Sequence, residues 1–492
     1  MSPASHFVAG GPRVLHAASE VFPLIKTGGL ADVAGALLPA LADCGVDVRL
    51  IVPGFPAILN GVENQHVVAE LGSLFGAGRV RLLIGRLPGT SVLVYIVDAP
   101  WFFRRPGNPY LGPDKRDWPD NIPRFALFGW VAAQLAHGGL DDYWQPDILN
   151  AHDWHAGLAL AYLRTNPVPR VKTVFTIHNL IYQGLFPLAQ AAELGIPPGM
   201  TAGRHSIEYW GQGSFMKAGL VYADRLTTVS PRYAFEITTP QFGAGMEGIL
   251  FERRHVLSGI LNGIDLNVWN PETDDQLFSH YSIHDLGGKA ALKAALQAEM
   301  GLPVDPDVPL AVMISRLTDQ KGADLLLEVL PTMRNLGIQL ALIGSGDSGL
   351  ERAFQQAADA SPSWIGVHIG YDEPLSHRMI GGGDIILVPS RFEPCGLTQL
   401  YGLRYGTLPL VRNVGGLSDT VVEFGSGAHS AGNGFVFDRA NVGDFAAALG
   451  RAAALWQDQG AWRARMVTAM GCDHGWTRAA EAYTTLYRSL FA

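Results

Sequence analysis

The segment from Ile385 to Val411 limits the possible folds of this chain more than any other stretch. It opens with Ile385 to Val388, a short β-branched run of the kind that forms a buried strand. A polar loop containing Glu393 follows, and apolar residues from Leu397 to Leu403 then recur at helical spacing until Gly406. A strand, a loop and a helix form the repeating unit of an α/β protein with a parallel sheet. At the carboxyl edge of such a sheet this segment predicts either a site for an anion or polar ligand, or an ordinary turn with a solvated glutamate.

The same strand–loop–helix unit recurs in two series. The first runs from Val14 to Leu261, and the second starts at Leu310. Between them, Asn262 to Pro271 carries Asn-Gly and Asn-Pro turn signals, and the alternation pauses there. A chain of 492 residues is also too long for one ordinary core. The sequence therefore predicts two large α/β domains with a boundary near Asn262.

Composition narrows the class of protein. Hydrophobic residues make up 48% and charged residues 16%, values typical of a well-packed soluble protein. The net charge of -9, with no long basic run, argues against nucleic-acid binding, and no apolar run is long enough to cross a membrane. Three widely spaced cysteines do not form a disulfide framework, so we expect a cytoplasmic protein.

A glycine loop near the N-terminus resembles a phosphate cradle. Lys26-Thr-Gly28-Gly29 connects a predicted strand to a helix whose apolar residues run from Leu30 to Leu41. Two glycines allow close approach of the backbone to an anion, the helix end supplies N–H donors, and the lysine supplies a positive charge. The spacing is not that of a Walker loop. A glycine-rich turn with a solvated lysine is the alternative interpretation.

A pair of cations follows the first strand of the second series. Arg316 and Lys321 lie on the loop between the strand Leu310 to Ser315 and a helix that begins at Ala323. A guanidinium and an ammonium on one loop suit the two phosphates of a diphosphate. Two solvated surface cations would have the same pattern.

Polar residues also end two strands of the first series. His152, Asp153 and His155 follow one strand, and His178-Asn179 follows the next. One short cluster without a further distant ligand more often lines a polar site or caps a helix than binds a metal. Their accumulation at one sheet edge predicts a site, and we expect no metal in it.

One motif favours a different chemistry. Gly344-Ser-Gly-Asp-Ser-Gly349 matches the dinucleotide fingerprint, and Asp372 follows the next predicted strand. The fingerprint belongs in the first unit of a nucleotide domain, and Arg316 and Lys321 have no place in an oxidoreductase of that type. We therefore rank a nicotinamide or flavin enzyme below a protein that clamps a diphosphate between Arg316 and Lys321.

Seven separate motifs follow one another along the chain. They are Lys26 to Asp32, His152 to His155, Thr176 to Leu180, Gly213 to Gly219, Ser315 to Gly322, Ser390 to Leu400 and Gly415 to Leu417. In this order they resemble the bacterial ADP-glucose glycogen synthases and the plant starch synthases. The resemblance covers nearly the whole chain, from Val14 to Leu490.

The resemblance implies a GT-B glycosyltransferase, with two Rossmann-like domains facing across a deep cleft. Its domains would span residues 13–262 on the acceptor side and 263–470 on the ADP-glucose side, with a C-terminal helix in 471–492 crossing back to the first domain. It implies transfer of glucose from ADP-glucose to the non-reducing end of an α-1,4-glucan, with retention. No cofactor is implied. The sequence offers no obvious second carboxylate for a double displacement, so we favour a front-face mechanism.

Family roles then fall on matching residues of this chain. Arg316 and Lys321 would hold the diphosphate, and Glu393 would hold glucose hydroxyls. His178 would contact the glucosyl group near the reacting carbon. Further donor contacts would come from Lys26, Gly28, Gly29, Asp153, Asn262, Tyr371, Thr398 and the backbone amides of Cys395, Gly396 and Leu397. Tyr110, in the long loop from Arg104 to Asn121, would meet the glucan acceptor.

Two departures from the family pattern are visible. Asn150 stands where many relatives have histidine, and Asp473-His-Gly-Trp476 replaces a more usual Asp-Phe-Ser-Trp. Three alternative functions stay open: a UDP-glucose-using synthase of the same fold, a glucan phosphorylase, which would need pyridoxal phosphate, and a non-catalytic glucan-binding protein. The sequence does not indicate an oligomeric state.

Overall fold

The structure, a computed structural model, describes residues 11–168, 170–425 and 432–492. The chain divides into two compact units. The first contains the described residues up to Gly263 together with Trp476–Ala492, and the second spans Ile264–Gly475. The polypeptide therefore leaves the first unit once and returns to it for its last helix.

In its described residues, the first unit is built on one nine-stranded sheet. The order is β12-β11-β7-β6-β1-β2-β5-β4-β3, parallel except that β4 pairs antiparallel with both β3 and β5. A small antiparallel sheet has the order β8-β10-β9. The strands are β1 (Arg13–Ala17), β2 (Asp47–Pro53), β3 (Glu63–Gly72), β4 (Val80–Arg86), β5 (Leu93–Asp98), β6 (Ile148–His152), β7 (Lys172–Ile177), β8 (Leu185–Pro187), β9 (Glu208–Tyr209), β10 (Gln212–Ser214), β11 (Arg225–Thr228) and β12 (Leu257–Gly259).

Helices of the first unit connect these strands. They are α1 (Gly29–Asp43), α2 (Pro56–Gly61), α3 (Pro100–Phe103), α4 (Asn121–His137), α5 (Asp153–Thr165), α6 (Phe215–Tyr222), α7 (Pro231–Glu236) and α8 (Glu247–Glu252). The final helix of the chain, α17 (Trp476–Ser489), buries Trp476, Tyr483 and Tyr487 in the core of this same unit. The C-terminal helix is thus part of the first unit although it follows the second in sequence.

The described part of the second unit has a six-stranded sheet that is parallel throughout, in the order β15-β14-β13-β16-β17-β18. Its strands are β13 (Leu310–Ile314), β14 (Gln339–Gly344), β15 (Ile365–Ile369), β16 (Ile385–Val388), β17 (Leu408–Arg412) and β18 (Phe435–Phe437). Its helices are α9 (Gly287–Glu299), α10 (Ala323–Asn335), α11 (Ser348–Ala360), α12 (Glu373–Gly382), α13 (Thr398–Arg404), α14 (Gly415–Thr420), α15 (Val442–Trp456) and α16 (Gln459–Met470).

The predicted strand Ile385 to Val388 is observed with the same bounds as β16. All four residues of β16 are buried, because helices lie on both sides of a parallel sheet and the strand then reads as a continuous apolar run. The largely exposed strand β3 and the short antiparallel sheet have no such run and were not predicted. Among the described residues, no helix is long and apolar enough to cross a membrane.

Candidate functional site

Each unit brings predicted residues together at the carboxyl ends of neighbouring strands. In the second unit, β13 and β16 are adjacent and parallel, so the loops that follow them emerge side by side. One loop carries Arg316 and Lys321, and the other carries Glu393. This adjacency joins residues that are more than seventy positions apart in sequence.

Lys321 and Glu393 form an ion pair. The Lys321 ammonium lies 2.6 Å from Glu393 Oε2, and the Ser390 hydroxyl donates to the same oxygen at 2.9 Å. Glu393 is buried, whereas the Lys321 side chain is 21% exposed. Glu393 Oε1 has no hydrogen-bond partner among the described residues, and two of the three N–H donors of the ammonium stay available. The pair therefore offers both an acceptor and donors to a ligand.

Backbone contacts hold these two loops against each other. The Arg391 amide donates to the Gln320 carbonyl at 2.8 Å, and the Arg391 guanidinium forms a bidentate pair with Asp324 at 2.6 Å on both arms. Gly322 has φ of 69°, and a Cβ there would lie 2.3 Å from the Pro389 carbonyl oxygen. A side chain at position 322 would thus push the loops apart.

The turn before α13 is shaped by Gln399, a residue that no sequence pattern predicted. Its buried amide nitrogen donates to the carbonyl oxygens of Cys395 and Gly396 at 3.1 and 2.9 Å. Gly396 adopts φ of 73°, a conformation that favours glycine. The amide of Gly416 donates to the Glu393 carbonyl at 3.1 Å, which ties a third loop to this turn. Leu397 and Thr398 follow at the N-terminus of α13.

The fingerprint glycines pack against the Arg316 loop. A Cβ on Gly344 would lie 2.1 Å from the Ser315 carbonyl oxygen, and one on Gly346 would lie 2.4 Å from that of Leu317. Asp347 caps α11 by accepting from the amides of Gly349 and Leu350 at 2.8 and 3.0 Å. These glycines therefore have a packing role, and a carboxylate of the chain already occupies the helix N-terminus.

Two further predicted residues of the second unit lie at its surface. Arg316 is exposed on its loop, and Tyr371, which follows β15, is 73% exposed. The Tyr371 hydroxyl donates to the Glu373 carboxylate. An exposed ring at the end of a strand can stack against a planar ligand.

In the first unit, the Lys26 loop is organised by Glu20. The buried carboxylate of Glu20 accepts from the amides of Thr27 and Gly28 and from the Tyr110 hydroxyl. Burial raises the pKa of Glu20, and the hydroxyl and the two amides oppose that effect. Lys26 pairs with Asp32 at 3.0 Å. Glu20 thus connects the Lys26 loop to the loop that carries Tyr110.

Both loop glycines lie at the start of α1, which begins at Gly29 with Gly28 as its N-cap. A Cβ on Gly28 would meet no atom within 4 Å, so the space over this glycine is open. The backbone of Gly28 is extended, at φ of −154°. Its conformation therefore does not require glycine.

Asp153 opens α5 in an unusual conformation, with φ of 53°. Its Oδ1 accepts from the amides of His178 and Asn179 at 2.7 and 3.2 Å, which joins the ends of β6 and β7. Burial raises the pKa of Asp153 to about 7, against the lowering effect of those two amides. The carboxyl group therefore takes up its proton near neutral pH.

Three imidazoles form what we call the histidine chain: His178, His152 and His16. His178 Nε2 lies 2.8 Å from His152 Nδ1, and His152 Nε2 lies 2.9 Å from His16 Nδ1. Burial lowers the pKa of His178 and of His16 to about 3, and that of His152 well below its usual value. All three rings are therefore neutral at pH 7. His16 had not been selected from the sequence, because it lies 136 residues from its partner.

The Tyr110 side chain is partly buried and packs against the hydrophobic core of the first unit. Its ring stacks on that of His155 with centroids 4.6 Å apart, and its hydroxyl bonds Ser19 at 2.7 Å as well as Glu20. A pocket next to it is lined by residues of the same loop and by aromatic rings, namely Ile25, Phe55, Pro56, Ala57, Phe103, Arg105, Pro106, Gly107, Asn108, Trp118 and Arg124. Asn262 is buried near the end of the first unit.

Histidines of the His152 motif take part in this packing. Across residues 11–168, 170–425 and 432–492, no group of three or more His, Cys, Asp and Glu side chains is arranged to hold a metal ion. His152 belongs to the histidine chain, and His155 is sandwiched among aromatic rings.

Comparison with known proteins decides the family. The starch synthase catalytic domain matches residues 13–252, and the glycosyl transferases group 1 family matches residues 300–465. A glycogen synthase of Paramagnetospirillum magneticum is 51% identical over 482 residues, covering 97% of both chains. A glycogen synthase of Serratia proteamaculans is 52% identical, covering 97% of this chain and 100% of the relative. The chain belongs to the glycogen synthase family.

Solved structures agree with this assignment. The catalytic domain of starch synthase IV from Arabidopsis thaliana, bound to ADP and acarbose, has a TM-score of 0.88 at 30% identity. The match covers 98% of this chain and 100% of that chain. A sucrose-phosphate synthase from Thermosynechococcus elongatus shares the fold, with a TM-score of 0.57 at 16% identity. The predicted family and its two-domain GT-B fold are confirmed, and the chain is a glycosyltransferase.

Proposed function

We propose that this glycosyltransferase moves glucose from ADP-glucose to the non-reducing end of an α-1,4-glucan with retention of configuration. The observation that carries the proposal is the Lys321–Glu393 pair at the carboxyl edge of the second sheet. A sugar diphosphate needs cations at its phosphates and acceptors at its hydroxyls. This pair supplies both, with the Lys321 ammonium 2.6 Å from the Glu393 carboxylate. The match to a starch synthase bound to ADP supports the choice of nucleotide.

Charge development during the reaction explains why these residues would be catalytic. Departure of the diphosphate from the anomeric carbon builds negative charge on the leaving group and positive charge on the sugar ring. Lys321 would direct its two remaining N–H donors at the phosphates, together with the exposed guanidinium of Arg316. Fixed cations do this without a metal ion, so we propose metal-independent transfer. Activity that survives incubation with a strong chelator is the expected result.

Glu393 would act on the sugar and not as a nucleophile. Its Oε2 is held by Lys321 and Ser390, which leaves Oε1 to accept from a glucose hydroxyl. The amides of Cys395, Gly396 and Leu397 would complete that pocket, with Thr398 near the phosphates and the Tyr371 ring against adenine. The sequence offers no obvious second carboxylate for a double displacement, so a front-face mechanism is favoured over a covalent intermediate. Trapping a glycosyl adduct on Glu393 would overturn that preference.

In the first unit we propose contacts to the same substrates. His178 and Asp153 would contact the glucosyl group, Asn262 would line the pocket, and the Lys26 loop with Gly28 and Gly29 would meet the phosphates. Tyr110 would meet the glucan acceptor. Since its hydroxyl already bonds Ser19 and Glu20, that contact would come from the ring.

A nucleotide-release assay tests the whole proposal. The protein is incubated with ADP-glucose or UDP-glucose, each with and without glycogen, and the released nucleotide is measured. We expect ADP release that depends on glycogen. Equal or faster release of UDP would identify a UDP-glucose synthase, and glycogen binding without any nucleotide release would identify a non-catalytic glucan-binding protein.

A further inference from the structure

The histidine chain continues beyond His16 to the last helix. Tyr487 of α17 places its hydroxyl 3.1 Å from His16 Nε2. The amide nitrogen of Asn150 donates to the same hydroxyl oxygen at 2.8 Å. Tyr487 and Asn150 are both fully buried. A line of hydrogen bonds thus connects the C-terminal helix to His178 through the interior of the first unit.

The direction of these hydrogen bonds follows from Asn150. Its Oδ1 accepts from the Thr176 hydroxyl at 2.9 Å, and the Thr176 oxygen in turn accepts from the Thr227 hydroxyl at 2.7 Å. This arrangement leaves the Asn150 NH₂ group facing Tyr487. An NH₂ group can only donate, so the Tyr487 oxygen accepts from it and directs its own proton to His16 Nε2. In the described part of the chain, the hydroxyl of Tyr487 has no other hydrogen-bond partner.

Each ring of the histidine chain then accepts at Nε2 and carries its proton on Nδ1. Because His16 Nε2 accepts, its proton is on Nδ1 and is donated to His152 Nε2. His152 therefore carries its proton on Nδ1 and donates it to His178 Nε2. His178 must in turn be protonated on Nδ1. That nitrogen ends the chain, and it has no hydrogen-bond partner among the described residues.

We propose that Tyr487 is a positioning residue that fixes His178 as a neutral Nδ1–H imidazole, so that His178 presents a donor to the substrate. This inference rests on the proposed function, in which His178 contacts the glucosyl group. A donor at Nδ1 suits an oxygen of the sugar. The reversed chain would present a lone pair at the same position and would repel that oxygen.

The reversed chain is disfavoured for a physical reason. It would require His16 Nε2–H to donate to the Tyr487 oxygen, which already accepts from Asn150. The Tyr487 proton would then be buried without an acceptor, and an unsatisfied buried donor is costly. A protonated ring is also disfavoured, since burial lowers the pKa of all three histidines.

The direct test is the tautomer of His178 in the whole protein without substrate. Protein labelled with ¹⁵N-histidine is examined by two-bond ¹H–¹⁵N correlation spectra, which distinguish Nδ1–H, Nε2–H and imidazolium. His178→Gln identifies the resonance of this ring among the 15 histidines. We expect Nδ1–H at pH 7. An Nε2–H or imidazolium form of His178 in the wild-type protein would overturn the proposal.

Tyr487→Phe tests the origin of the effect, with Tyr483→Phe as the matched control. Tyr483 is buried on the same helix, with its ring centroid 5.9 Å from that of Tyr487. In Tyr487→Phe either direction of the chain leaves one group of His16 unsatisfied, so we expect two comparably populated His178 tautomers and about a twofold lower kcat at similar KM. Tyr483→Phe keeps the wild-type spectrum.

An unchanged His178 tautomer in Tyr487→Phe would remove Tyr487 from its proposed role. If Tyr487→Phe does not fold, the wild-type spectrum still decides the tautomer. The spectra require no turnover, so failure of the proposed function is seen separately: an Nδ1–H His178 in a protein that releases no ADP would leave the tautomer assignment standing and refute the activity.

Discussion

Lys321→Ala separates the catalytic from the structural contribution of the Lys321–Glu393 pair. The lysine is expected to stabilise charge that develops on the departing diphosphate, and loss of one such donor costs about 2.7 to 4 kcal/mol, or about a hundred- to a thousandfold in kcat. Glu393 holds the Lys321 ammonium at a fixed position, whereas the Arg316 guanidinium is exposed on its loop. We therefore do not expect Arg316 to replace the missing lysine.

The same substitution also affects stability. Among the described residues, the Glu393 carboxylate would stay buried with only the Ser390 hydroxyl as a hydrogen-bond partner. Breaking a fully buried ion pair costs about 3 to 5 kcal/mol, and an exposed pair contributes about 0 to 1 kcal/mol. With the two side chains 21% and 7% exposed, we expect a loss of about 2 kcal/mol in the free energy of unfolding. Adding Glu393→Gln removes the unpaired charge, so the double variant should regain most of that stability but not its turnover.

The assay measures kcat and KM for ADP-glucose together with urea unfolding for each variant. Arg378→Ala is the matched control, because Arg378 of α12 pairs with Glu299 of α9 at the same distance of 2.6 Å. We expect it to keep wild-type turnover. The reasoning is refuted if Lys321→Ala raises only KM at unchanged kcat, or if the double variant recovers turnover.

Three further predictions follow from burial and packing. The three rings of the histidine chain are neutral in the folded protein but take up protons in the unfolded chain. The free energy of unfolding should therefore fall as pH drops below about 6.5, by up to about 4 kcal/mol per pH unit. A constant urea midpoint from pH 7 to 5 would contradict this. Asp153 holds its proton to about pH 7 when folded but ionises near its usual pKa when unfolded, so its contribution to stability falls as pH rises between those values. The free energy of unfolding of Asp153→Asn should therefore rise relative to that of the wild type as pH rises, by about 4 kcal/mol at pH 8. A difference between the two urea midpoints that does not change with pH would refute this prediction. A Cβ on Gly416 would lie 2.2 Å from the Cys395 carbonyl oxygen, so Gly416→Ala should weaken ADP-glucose binding measured by calorimetry. Gly450 of α15 has open space around it, so the control Gly450→Ala should bind as the wild type does. Equal affinities of the two variants would contradict this.

Local sequence was sufficient for the elements that carry the second-unit site. The strand β16 was predicted with its observed bounds, because a strand covered on both faces is apolar at every position. The loops carrying Lys321 and Glu393 followed from the strand ends and the glycines beside them. The roles proposed for these side chains come from the family resemblance and stay predictions until the assays are done.

Sequence reasoning missed the residues that act from a distance. Glu20 receives two amides of the Lys26 loop and the hydroxyl of Tyr110, which lies ninety residues away. Gln399 shapes the turn at Gly396 from inside the following helix. Neither has a local pattern that distinguishes it from a solvated polar residue, because its partners are backbone groups or a distant side chain.

The sequence by itself determined the strand–loop–helix units, the division into two series and the family, since periodicity, turn residues and ordered motifs are local properties of the chain. Tertiary structure alone decided which side chains meet. Parallel pairing of β13 with β16 places Lys321 against Glu393, and the return of α17 to the first unit brings Tyr487 to His16 across 471 residues. Such contacts depend on sheet order and helix docking, where burial of a whole apolar face outweighs the preference of any one residue.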